Sequence, residues 1–344
     1  MKLHQYETIP AATQIGPELY KIVIPQPFYE PNNLYVINSG EPVLIDTGYI
    51  ENLGLLQRSL KSIGLSLARI KHIVYTHDHI DHMSAGLSIS YYTKARTYAM
   101  RGIEVASQNY RANLLLLRSA EERLTYKAHR DPEIRKNELA RVRHGWDKFR
   151  DSYSRGGKVD PSVRIDVGLV EGDVIECGKR EIGFLHTPGH NRWHISPYIL
   201  GEGIYFTGDL VLDNVSSVYA EVDGDLQKYH DSLDRLSRIP IKRLLPAHGQ
   251  EPEEPHKKIR LLKKTLALLE RGVMRRLKEK PHDLSELVLS AMGERTRKSG
   301  YYFTALGVIH SIIRKLQAQN CIEVNEIDPP YETYSWKPGA EIES

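Results

Sequence analysis

The feature that most limits what this chain can be is "YTHDHIDH", residues 75–82, where three histidines and two aspartates fall within six consecutive positions. A run H-x-H-x-D-H arises by chance in roughly one chain in a thousand of this composition, so accident is a poor explanation. Its setting narrows the reading. The preceding "IKHIVY" is the apolar, β-branched pattern of a buried strand, and the cluster follows at the strand's C-terminal end, where ligand sites of α/β sheets open. His77 and His79, two apart on an extended chain, can point the same way. A turn after them would aim Asp81 and His82 at a second point a few ångströms off, so that one loop serves two neighbouring cations. Asp78 lies between the two histidines, faces away, and is left out of the metal shell.

A closed site needs donors from elsewhere in the chain, and four turns offer them: Asp46 in "LIDTG", His190 in "HTPGH", Asp209 in "FTGDL" and His248 in "LPAHG". Each combines an apolar strand, a small or kinked turn residue and one metal-ligand type. The chain has only two cysteines, Cys177 and Cys321, far apart in sequence. They give neither a disulfide framework nor a thiolate cluster, so any metal must be held by His and carboxylate.

Strand signals in "LYKIVI", "LYVIN", "PVLIDTG" and "IKHIVYTH", with a helix over "NLGLLQRSLKSIGL", give a layered α/β start. From about Tyr98 to Arg155 the periodicity turns helical and predicts an insert; strands return from "VRIDVGLVEGDVIECGKREIGFLHTPGH" to "IKRLLPAHG". The acidic, Pro-containing "QEPEEPHK" marks a boundary, followed by a basic helix from about His256 to Lys278 and two shorter ones.

The ordered series "LIDTG", "THDHIDH", "TPGH", "FTGD" and "PAHG" over residues 43–249 resembles the metallo-β-lactamase fold superfamily. The resemblance implies an α/β fold, an αββα sandwich of two mixed β-sheets packed face to face with helices outside. It implies one metal held by His77, His79 and His190 and a second by Asp81, His82 and His248, with Asp209 bridging both and Asp46 supporting. The implied cofactors are two Zn²⁺; Fe or Mn tolerate the same donors. Such cations lower the pKa of water from about 15.7 toward 7. The expected activity is attack by a metal-activated hydroxide on a small ester, thioester or lactone, similar to the chemistry of hydroxyacylglutathione hydrolase. Asp81 or Asp209 would orient the nucleophile or accept its proton. A metal-dependent ribonuclease or phosphodiesterase of the same fold is the alternative. Flavodiiron oxygen reductases carry Glu at the position of His79, and RNA-processing cleavage factors carry a large insert where only about 40 residues separate Asp209 from His248.

In "TPGHNRWHIS", His194 follows His190 by four positions. That spacing, with "DLSELVLSAM" and "YFTALGVIHSIIRKLQAQNCIEV", resembles the lactamase-β-like-2 branch, which appends a small winged-helix-like domain. The expected division is a catalytic domain, residues 1–255, with a helical insert at about 98–158, and a winged-helix-like domain, residues 256–344. His194 is expected to support the site or to be a buried polar residue. The tail "DPPYETYSWKPGAEIES" has no place in this scheme. The insert either roofs the cleft, with Tyr110, Arg111, Arg118 or Trp146 toward an anionic or aromatic substrate, or forms an outward hairpin for stability or dimerisation.

Charge bears on partners. Residues 94–158 hold 16 Lys/Arg against 8 Asp/Glu, and residues 256–298 hold 13 against 5, in a chain of net charge +3. Basic helices attract anionic substrates or nucleic acid, although solvated faces are the commoner outcome. A small-molecule substrate is favoured over nucleic acid, and a homo-oligomer is left open. No apolar run nears the roughly 18 residues that span a bilayer, and "MKLHQYETIPAATQIG" has no basic start followed by an apolar segment, so the expected location is the cytoplasm.

Overall fold

Short β-branched runs separated by Gly, Pro and Asn turns build two sheets in the computed structural model, which describes residues 11–26, 30–90, 92–153, 162–213 and 223–341. In the first sheet β1 (Thr13–Gly16), β2 (Leu19–Ile24), β3 (Asn32–Ile37) and β4 (Val43–Ile45) form an antiparallel meander. The sheet continues with parallel β5 (His72–Val74), β6 (Arg96–Met100) and β7 (Val167–Leu169). Parallel neighbours need crossovers; α1 (Leu53–Lys61) supplies the first, and α2 (Ile80–Met83) with α3 (Gly86–Ser90) the second. Leu55, Leu56 and Leu60 of α1 bury against the outer face of this sheet with Ile22, Leu34 and Ile73.

The helical insert is α4 (Ile103–Gln108), α5 (Tyr110–Ala128) and α6 (Pro132–Tyr153). It starts later than the sequence pattern suggests. Tyr98–Met100 belong to β6, where Thr97, Tyr98 and Ala99 are buried between β5 and β7; pairing on both edges overrides the local helical periodicity.

The second sheet runs β12-β11-β10-β9-β8, from β8 (Val174–Cys177), β9 (Arg180–His186), β10 (Ile195–Ile199), β11 (Ile204–Gly208) and β12 (Arg243–Pro246). All its pairs are antiparallel except β11–β12, which α7 (Leu226–Leu236) connects. Leu19, Ile37, Val74 and Leu169 of the first sheet meet Ile182, Phe184, Ile199 and Phe206 of the second in the inner core. Helices cover both outer faces, so the expected αββα sandwich is what the chain forms.

After it come α8 (Pro255–Glu279), β13 (His282–Asp283), α9 (Leu284–Met292), α10 (Tyr302–Ala318), β14 (Ile322–Asp328) and β15 (Tyr331–Trp336). Asp283 and Glu286 form a capping box that starts α9, and Asn320, at φ 57°, makes the turn out of α10. The tail that the sequence left unplaced supplies β15, the centre of a β13-β15-β14 sheet. One continuous core joins Leu124 of α5, Leu233 of α7, Leu262 of α8 and Leu306 of α10. The insert and the C-terminal region therefore pack together beside the second sheet. No helix among the described residues is long and apolar enough to cross a membrane.

Candidate metal centre

The seven proposed donors all follow the C-terminal ends of strands at one edge of the sandwich: β5 leads to His77–His82, β9 to His190, β11 to Asp209 and β12 to His248. They gather as two clusters, His77, His79, His190 and Asp209 in one and Asp81, His82 and His248 in the other, with donor atoms in each cluster within 4.8 Å of one another. In the second cluster His82 Nε2 lies 3.5 Å from Asp81 Oδ2 and 3.6 Å from Asp209 Oδ1. His248 Nε2 lies 3.3 and 3.4 Å from the same two oxygens. Zinc–ligand bonds of about 2.0–2.1 Å in a tetrahedron separate donors by about 3.4 Å, so these four atoms already stand at the edges of such a shell. Asp209 turns its other oxygen, Oδ2, to within 3.6 Å of His190 Nε2, and His190 Nε2 is 2.9 Å from His79 Nδ1. One carboxylate thus faces both clusters.

The donor set passes a second test of fit. His77 Nε2, His82 Nε2 and Asp209 Oδ1 are buried without a hydrogen-bond partner. Buried polar atoms are rarely left so, and here three of them converge on the points a cation would satisfy.

Each donor is aimed by its remaining polar atom. Asp46 sits at φ 60°, just past β4; its Oδ2 accepts from His82 Nδ1 and from Thr76 Oγ1, both at 2.8 Å, and its Oδ1 accepts from Thr76 N–H at 2.8 Å. Thr76 Oγ1 lies 3.0 Å from His77 Nδ1. Asp46 therefore bonds His82 directly and His77 through Thr76, and it stands outside both clusters. His248 Nδ1 faces the carbonyls of Glu30 and Pro31 at 3.1 and 3.2 Å. These contacts fix the tautomer that leaves Nε2 for the metal.

His194 supports rather than binds. Its Nε2 accepts the backbone N–H of Asp209 at 3.2 Å, and its Nδ1 meets Thr187 Oγ1 at 2.9 Å. Burial and the neighbouring His190 hold its pKa well below the usual value, so it is a neutral acceptor. Gly208, at φ 46°, lets the chain pass: a Cβ there would stand 2.5 Å from His194 Nε2. Asp78 is outside the clusters, its carboxylate held by Asn191 Nδ2 at 2.6 Å and Asn113 Nδ2 at 3.2 Å.

Charge in the centre is complementary. Burial opposes protonation of His248, yet Asp209 and Asp81 raise it to about 9, and Asp81, Asp209 and Asp46 likewise outweigh burial to raise His82. Burial works against the ionised carboxylates as well, but His248 and His82 hold Asp209 well below its usual value, and His82 and His248 hold Asp81 down. A cation entering this set displaces protons from His82 and His248.

Of the insert residues weighed for the cleft, Tyr110 and Trp146 are held by partners within the fold. Tyr110 is buried with Tyr49, Ile80 and Leu114, and its hydroxyl donates to Asp78 O behind the metal loop. Trp146 Nε1 donates to Glu121 at 2.7 Å, Arg118 pairs with Glu122 and Asp147, and Arg111 is exposed. The insert clamps the loop from outside. Sequence reasoning missed Gln26 and Asn32, whose side-chain amides donate to Asp81 Oδ2 at 3.4 and 3.1 Å, and Asp223, whose Oδ2 lies 3.2 Å from His79 Nε2. Only Asn191, adjacent to His190, carried a local signal.

An αββα sandwich with His and Asp donors gathered at one edge defines a metallo-hydrolase. The chain belongs to the Metallo-beta-lactamase superfamily, whose family model matches residues 29–248. It is 25% identical to Beta-lactamase-like protein 2 homolog of Drosophila melanogaster over 264 residues, 73% of this chain and 70% of that protein. It is 23% identical to Atrochrysone carboxyl ACP thioesterase of Claviceps purpurea (strain 20.1) over 90% of this chain and 83% of that one. With Acyl-coenzyme A thioesterase MBLAC2 of Homo sapiens the identity is 28% over 65% of this chain and 76% of that one. A metallo-beta-lactamase family protein from Thermus thermophilus shares the fold, with TM-score 0.75 at 20% identity over 94% of this chain and 100% of that chain.

Proposed function

We propose that this chain is a binuclear zinc-dependent hydrolase of small thioesters. The observation that carries the reading is the convergence of seven His and Asp donors as two clusters that share Asp209, with three buried donor atoms otherwise unpartnered. His77, His79 and His190 would hold one cation and Asp81, His82 and His248 the other, with Asp209 on both. Nitrogen and oxygen donors in this number suit Zn²⁺. Two such cations, when bound, supply Lewis-acid charge and water that ionises near neutral pH.

The chain's own part is positioning and proton handling. Asp81 and Asp209 are the catalytic carboxylates: each side chain is 12% exposed, so each reaches solvent while anchored against His82. They orient the attacking water and take its proton. No side-chain nucleophile is called for, and Cys177 and Cys321 are both buried in hydrophobic cores. Thioesters are favoured within the class because curated relatives of similar length are named as acyl-carrier and acyl-coenzyme A thioesterases.

The second reading, a ribonuclease or phosphodiesterase, would draw on a winged-helix-like region at residues 256–344. Its element order suits that assignment, which we adopt. The recognition helix of helix-turn-helix relatives lies in the groove of the nucleic acid, and α10 stands at that place in the order. Here α10 is buried from Ala305 to Ile313 within the hydrophobic core. That burial favours a packing role and a small-molecule substrate. Turnover of an acyl-coenzyme A panel, bis(p-nitrophenyl) phosphate and single-stranded RNA separates the readings. Thioester turnover far above the other two is expected; RNA cleavage with no thioester turnover would replace this proposal with the second.

A further inference from the structure

Four donor histidines of the centre can be compared by what holds the ring nitrogen that is not offered to a cation. His77, His82 and His248 are held by neighbours beside the strands that carry them: Thr76, Asp46 and the carbonyls of Glu30 and Pro31. His79 differs. Its Nδ1 faces His190, and its Nε2 is 3.2 Å from Oδ2 of Asp223, 144 residues along the chain. The partner arrives from the far half of the sandwich.

Asp223 is well placed for the task. It precedes α7, whose N-cap is Asp225; the Asp225 side chain accepts from Lys228 N–H, and its backbone N–H donates to Gly189 O at 2.9 Å. That bond ties the turn to the loop carrying His190. Gly189, at φ 147°, permits the approach, since a Cβ there would stand 2.5 Å from Tyr229 Cα. Asp223 is 10% exposed and His79 is 26% exposed at the side chain, so the pair sits at the rim of the centre and not in the core.

We propose that Asp223 is the positioning residue of the first cation site. Its carboxylate accepts the proton of His79 Nε2, which fixes the tautomer with the lone pair on Nδ1 and turns that nitrogen toward His77, His190 and Asp209. The contact reaches the centre through His79 alone, a member of the first cluster, so its loss weakens one site and spares the other. The inference rests on the two-cation reading above. It adds a residue that no motif marks.

The test is titration of metal-free protein with Co²⁺, read by its visible ligand-field bands, together with Zn²⁺ competition against a coloured chelator. Wild type is expected to take two equivalents; if it does not, the two-cation reading fails and not this inference alone. With two equivalents in wild type, Asp223→Ala is expected to weaken one equivalent about 10- to 100-fold and leave the other unchanged. Asp223→Asn keeps an acceptor oxygen and is expected to restore the site to within a few-fold. In a His79→Ala background, Asp223→Ala should have no further effect on either equivalent, whereas a merely structural role would cost the same in both backgrounds. If the alanine variant does not fold, Asp223→Glu, which displaces the carboxylate by one methylene, carries the test with an expected loss of about tenfold. Wild-type affinity at both sites in the alanine variant, or in the glutamate variant if that one serves, overturns the proposal, as does an equal loss at both sites.

Discussion

In the cluster of Asp81, His82 and His248 the side chains are 12%, 1% and 8% exposed, and Asp81 Oδ2 lies 3.5 Å from His82 Nε2 and 3.3 Å from His248 Nε2 before any cation is considered. In the cluster of His77, His79 and His190 one member, His79, is 26% exposed and is braced from across the cleft by Asp223. The first of these is assembled by strand ends packed against the core and stays in place because its surroundings cannot rearrange. The second has one wall at the rim. On the two-cation reading proposed above, one cation would be a fixed anchor and the other would face substrate.

The largest effect is expected where the clusters meet. Asp209→Ala removes the shared carboxylate and should lower kcat/KM by several kcal/mol, about a thousandfold or more, with loss of metal at both sites by elemental analysis. Retention of either full turnover or two cations would break the link between the clusters. Next, the anchor and the rim should respond differently to histidine loss. His82→Ala removes the positive charge shared by the buried carboxylates of Asp46 and Asp81 and should cost roughly 3 kcal/mol of folding stability in urea. His79→Ala should abolish turnover while the chain melts close to wild type; equal destabilisation would erase the distinction.

A smaller effect belongs to His194→Ala. It leaves the buried N–H of Asp209 without an acceptor, at a cost of about 1–3 kcal/mol, and should impair metal uptake at both sites because Asp209 serves both. The pH dependence of metal-free protein sharpens the comparison further. His248 is raised to about 9 in the fold, so the stability it contributes is full below its unfolded value of about 6.5 and is lost as pH rises through 9. Melting of the metal-free chain is expected to fall across that window, and melting of the metal-loaded chain to stay level, since a cation replaces the protons.

The candidate donors could be picked out of the sequence because each is local: an apolar strand, a turn residue, then one imidazole or carboxylate. The sandwich was implied by the family resemblance that the ordered series of these motifs carries. The braces outside the motifs were not legible. Gln26, Asn32 and Asn113 reach their carboxylates across 55, 49 and 35 residues, and Asp223 reaches His79 across 144; no spacing rule links such pairs, and only the folded chain brings them together. The insert was left with two readings for a related reason. The aromatic and basic residues at Tyr110, Arg118 and Trp146 suggested substrate contacts, but tertiary packing turned them onto the back of the metal loop and onto each other's acids. Strand β6 was hidden because pairing on both sides, and not local propensity, sets it.

The most direct measurement is thioester hydrolysis by protein stripped with a chelator and then titrated with Zn²⁺, with bound metal counted at each point. Two bound equivalents should accompany full recovery of turnover, with little activity at zero. A stripped chain that hydrolyses thioesters as fast as the loaded one would contradict the account.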